Sequence, residues 1–142
     1  MFGVIAALVS GALMSIQGVF NTDVTKQTSL WVSASFVQFT ALLVCLAVWL
    51  ICDRTSFRSL FEISDKYVLL GGAIGAFITA TVIWSMNGLG PAKAAMLIVI
   101  SQLTVAWLIE LAGIFGMEKQ PFSMRKLLGL LIAVAGVITF EL

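Results

Sequence analysis

Glu110 is the residue in this chain whose type and setting could do chemistry. It stands inside SQLTVAWLIELAG, residues 101–113, a run that is otherwise almost wholly apolar. The other six acidic residues, Asp23, Asp53, Glu62, Asp65, Glu118 and Glu141, fall between or after long apolar runs. Ala95, Gln102, Ala106, Glu110 and Gly113 recur at spacings of seven, four, four and three, which puts them on one face of a helix. An acid held inside a membrane helix is costly, and it marks an ion, proton or substrate path by default. A carboxyl that faces a cavity there exchanges a proton or holds a cation. The sequence has no histidine, so proton exchange within the apolar runs falls to a carboxylate or a lysine.

Other polar groups could share that work. Gly3, Ala7, Ser10, Met14, Gln17 and Asn21 form a stripe at spacings of four and three. Gln17 and Asn21 either bond to a neighbouring helix, for ~1–2 kcal/mol at most, or line a site. Trp107 lies one turn from Glu110 and could stack on an organic cation. Tryptophans near helix ends also anchor at the interface, and both roles stay open for it. Lys93 opens its helix and reads as an interfacial anchor. Glu110 itself could be interfacial, but its stem is short. With its helix running to Met117 it would lie about 10 Å below the end, which favours a submerged side chain.

Long apolar helices must position these residues. Hydrophobic residues make up 61% of the chain and charged ones 11%, against about 25% charged in soluble domains. A spanning helix needs roughly 20 apolar residues, and several windows reach that length. The reading is an all-α membrane protein with five spans, at about residues 2–22, 29–52, 67–88, 91–116 and 125–141. They form a single transmembrane domain, 1–142, in contact with the lipid bilayer. Strands are excluded because lipid cannot satisfy an open sheet edge. The first run lacks the basic start of a signal peptide and reads as a retained span. Pro91 suits a first helical turn, and Ser123 suits a helix N-cap.

Small residues at interface spacing mark helix packing, because lipid supplies no hydrophobic drive for association. Gly18 is assigned this role in span one, Gly71 and Gly75 in span three, and Gly129 and Gly136 in span five. Cys45 and Cys52 are seven apart on one helix, about 10 Å, too far for a disulfide. No metal spacing, cofactor motif, nucleophile–base pair or basic nucleic-acid patch is present. The chain reads as a non-enzyme with no metal or cofactor and no nucleic-acid partner.

Five spans put the N-terminus, the second loop and the fourth loop on one side. That side carries Arg54, Arg58, Lys66, Lys119, Arg125 and Lys126, against Lys26 and Lys93 on the other. The excess predicts a cytoplasmic N-terminus and an external C-terminus.

The runs GALMSIQGVFN, GGAIGA, LGPAKA, SQLTVAWLIELAGIFG and MRKLLGLLIAVAGVI, in this order over nearly the whole chain, resemble the YdcZ-like small membrane proteins of the drug/metabolite transporter superfamily. The resemblance implies a five-helix unit equal to half of a ten-helix transporter built from inverted repeats. It implies export of a small-molecule substrate by alternating access across the bacterial inner membrane. It carries Gln17, Gly18 and Asn21 over as the polar motif of span one, and Gln102 and Glu110 as the polar pair of span four. Glutamate stands at 110 where the family pattern usually has aspartate, and serine at 101 where glycine is frequent. Inverted repeats need one unit pointing each way. The uneven basic residues therefore predict an antiparallel five-helix partner chain of opposite bias, with an antiparallel homodimer as runner-up. The function expected is a secondary transporter, an exporter of a metabolite or drug-like compound, coupled to protons through Glu110. The substrate site would be Glu110, Gln102, Gln17, Asn21 and Trp107. The alternatives are a non-transporting membrane assembly protein and a passive channel.

Overall fold

The computed structural model describes residues 1–141. Among them every regular element is helical. The long helices are α1 (Phe2–Gln27), α2 (Leu30–Val48), α3 (Gly71–Leu89), α4 (Pro91–Ala112) and α5 (Met124–Glu141). A π-helical turn, Trp49–Asp53, prolongs α2, and two 3-10 turns, Phe57–Glu62 and Lys66–Leu70, lead to α3. Taken with these extensions, four helices among the described residues are long and apolar enough to cross a membrane: Phe2–Gln27, Leu30–Asp53, Lys66–Leu89 and Pro91–Ala112.

α5 stands apart from those four. It opens with Arg125 and Lys126, and its apolar stretch runs only from Leu127 to Phe140, about 21 Å of helix. The chain falls into two compact units, one of Met1–Gly88 and one from Leu89 onward.

With the π and 3-10 turns counted into α2 and α3, the helix bounds depart from the apolar windows by more than a residue or two at two places. α1 runs on to Gln27, five residues beyond the window ending at 22. Asn21 to Gln27 is polar except for Val24 but has no glycine or proline to break the turn. The helix stops at Thr28, whose hydroxyl bonds the Val24 carbonyl at 2.7 Å. Ser29 then caps α2, accepting the Val32 N–H at 3.3 Å. α4 instead stops short, at Ala112 rather than 116. Gly113 takes the left-handed conformation (φ +65°) and its N–H bonds the Ile109 carbonyl at 2.9 Å, a helix C-cap. Phe115 and Gly116 also have positive φ, so the apolar letters IFG continue without any helix.

Within the first unit the helices meet through small and polar groups. Ser33 on α2 is fully buried, and its hydroxyl donates to the Asn21 carbonyl of α1 at 3.0 Å. A Cβ on Gly18 would collide with the Met86 sulfur of α3 and come within 3.4 Å of Val82. A Cβ on Gly75 would lie 3.6 Å from the Gln38 amide of α2. Gly71, Gly129 and Gly136, also expected at interfaces, would each meet open space. Other hydroxyls return to their own helix: Ser15, Thr22, Thr40, Thr79, Thr81 and Thr139 each bond the carbonyl four residues back, at 2.8–3.2 Å. That pattern removes polar groups from the outer surface of the helices.

Much of that outer surface is apolar. Phe36, Phe77, Leu103 and Ile132 are among many large side chains left exposed, which water would penalise and acyl chains accept. Gly18→Leu should wedge α1 away from α3 and cost about 1–3 kcal/mol, read as a lower thermal midpoint in detergent micelles. Gly18→Ala should cost less, because the flexible end of Met86 can turn aside.

Candidate functional site

The C-terminal turn of α4 carries the acid. Glu110 lies two residues from the end of α4, about 3 Å along the axis. The depth of about 10 Å expected from a helix reaching Met117 is therefore corrected, and the cause is the Gly113 cap. The turn that follows is held tightly. Gln120 donates its backbone N–H to the Glu110 carbonyl at 2.8 Å. Lys119 packs over Gly113, where a Cβ would fall 2.8 Å from the lysine Cβ. The chain then enters α5 through Ser123, whose hydroxyl accepts the Lys126 N–H at 3.5 Å.

This route sets the start of α5 beside the end of α4. The Lys126 ammonium meets the Glu110 carboxylate at 2.5 Å (Nζ to Oε2). Both side chains keep contact with the outside, at 49% and 36% exposure respectively. The acid is thus neither isolated nor sealed. Next to the pair is an open-sided groove of about 310 Å³, lined by Leu103, Ala106, Trp107, Glu110, Lys126, Gly129 and Leu130. Its α4 wall uses positions i, i+3, i+4 and i+7, one face of that helix. The small side chains at Ala106 and Gly129 leave the space open. Trp107 stacks on Phe122 with centroids 5.6 Å apart, tilted by 42°. Its indole Nε1 is buried with no hydrogen-bond partner among the described residues.

The residues expected at the site divide between the two units. In the second, Trp107 and Glu110 share the groove, while Gln102 is exposed on α4 and is not among the residues lining it. In the first, Gln17 and Asn21 come together. They line a hollow of about 410 Å³ with Val37, Thr40, Ala41, Val44 and Cys45 of α2. They also line a narrower cleft of about 50 Å³ with Ile78, Thr79 and Val82 of α3. Asn21 is buried and Gln17 is exposed.

Sequence reasoning missed Lys126 and Phe122. In the sequence Lys126 reads as one of the basic residues that set orientation. The signal was present, because an acid near a membrane helix demands a cationic partner, and Lys126 opens the next helix.

With this geometry in place, the comparisons with known proteins bear on it. The sequence model of the family described as "Putative inner membrane exporter, YdcZ" matches residues 2–139. The chain belongs to that family and is an integral inner-membrane protein. No curated protein and no solved structure gives a significant match.

The turn after Glu110 can be tested directly. Gly113→Ala should cost the left-handed penalty of roughly 1–2 kcal/mol plus the clash with Lys119. Gly116→Ala, whose Cβ would meet open space at φ +78°, should cost only the first part. Gly129→Ala should be neutral or stabilising by up to about 1 kcal/mol. Thermal midpoints of the purified variants in micelles would rank the three.

Proposed function

We propose that the chain is one half of a secondary transporter that exports a small metabolite or drug-like compound. It works by alternating access together with an antiparallel five-helix partner chain. The observation that carries this reading is the groove at Glu110, a carboxylate with apolar walls and an aromatic face inside a member of an exporter family. The carboxylate is held by an exchangeable partner and reached from outside, so it can trade that partner for a proton or a cationic group. Trp107 packs against the bound compound beside Glu110. An assembly protein without transport would favour filled space around Glu110, and the groove argues against that alternative.

α5 is the fifth crossing in this reading. Its apolar length is short, and Arg125 reaches back toward the headgroups to extend it. The N-terminus is then cytoplasmic and the C-terminus external, on the side poorer in basic residues. A reporter fused after Leu142 should give an external signal alone. A cytoplasmic signal would remove the fifth crossing, and equal signals on both sides would replace the hetero-partner with an antiparallel homodimer.

Transport is tested in proteoliposomes loaded with a pH-sensitive dye and challenged with a panel of candidate compounds. At least one compound should drive proton movement, and Glu110→Gln should bring it to the protein-free baseline. Undiminished movement in that variant would take Glu110 out of the mechanism.

A further inference from the structure

The Lys126 side chain is itself an alkylammonium: four methylenes ending in a cation. In the structure it lies along a groove with apolar walls and delivers that cation to a carboxylate at 2.5 Å. It comes from a different helix, 16 residues away in sequence, so nothing local in α4 dictates the pairing. The two side chains remain 49% and 36% exposed. An ion pair this open contributes little net stability, and exchange for another cation is inexpensive. The groove, at about 310 Å³, lies at the small end of the roughly 300–1,000 Å³ seen for ligand pockets. Trp107 lines it as an aromatic surface suited to a cation or a ring.

We propose that Lys126 is a tethered occupant of the Glu110 groove: its ammonium rests where the ammonium of a small primary-amine substrate binds, and it must leave for that substrate to enter. Lys126 is then a specificity-determining residue. It competes intramolecularly with every amine, so weak cations are excluded and only amines that also fill the apolar walls displace it. Neutral and anionic compounds gain nothing from the exchange. This inference rests on the proposed role of Glu110 in transport.

The test uses the full chain in detergent micelles, with phenethylamine as the probe and benzyl alcohol as the neutral control, followed by titration calorimetry. Removing the tethered competitor with Lys126→Met should tighten phenethylamine binding by about two- to fivefold, the range an exposed pair can supply, with benzyl alcohol unaffected. Lys126→Arg, which keeps a tethered cation, should not reproduce the gain. The double variant Glu110→Gln/Lys126→Met should lose it. Unchanged or weaker amine binding in Lys126→Met would overturn the inference, as would a gain that persists in the double variant. The proposed function would survive that result if Glu110→Gln still abolished proton movement. If Glu110→Gln left proton movement intact, the transport reading itself would fall. Lys126→Gln serves as the second variant: if the methionine chain does not fold, an amine affinity in Lys126→Gln equal to that of the unaltered chain refutes the competition.

Discussion

Hydrocarbon offers no hydrogen bond, and nearly every feature of this chain answers that constraint. Helices satisfy their own backbone, and so the long elements are helical. Hydroxyls of serine and threonine fold back on the carbonyl one turn earlier, as Thr22 does on Gly18 and Thr79 on Gly75. Ser33 is an exception that crosses between helices, fastening α2 to the Asn21 carbonyl of α1 at a fully buried point. Polar groups that cannot be settled in these ways stand out. Glu110 is the clearest, and its remedy is a lysine from another helix.

The remedy explains how one short turn organises the second unit. Gly113 ends α4 because it alone there can take the left-handed conformation without strain. The chain then doubles back, Gln120 bonding the Glu110 carbonyl and Lys119 covering the glycine. Phe122 comes to rest on Trp107. Ser123 starts α5, and the ammonium of Lys126 arrives at the acid. Small residues at 106 and 129 keep the intervening space open, and the groove follows from what those positions lack.

How much of this was readable in the sequence depends on which physical effect set each feature. The four helices long and apolar enough to cross were readable, because length and apolar content are what lipid selects. The end of α4 was not, because hydropathy treats IFG as continuous while the backbone breaks at Gly113. The end of α1 failed in the opposite sense, since Thr22 to Gln27 are polar but for Val24, yet helical. Gly18 and Gly75 lie at close approaches of helices, whereas Gly71, Gly129 and Gly136 have open space beside them. Spacing alone cannot tell a glycine pressed by a neighbour from one facing outward. The partner of Glu110 lay outside the reading because Lys126 had been treated as a topological charge and never as a ligand for the acid.

α5 carries one more consequence. Its 14 uncharged residues from Leu127 to Phe140 give about 21 Å of greasy length, while an average bilayer core is about 30 Å thick. α1, with 26 residues, errs the other way. With α5 as the fifth crossing proposed above, the protein must tilt the long rod and pinch the leaflet around the short one. The energy of that mismatch changes with acyl-chain length, so the lipid composition around the protein becomes a physical input to the position of Lys126 and, through it, to Glu110.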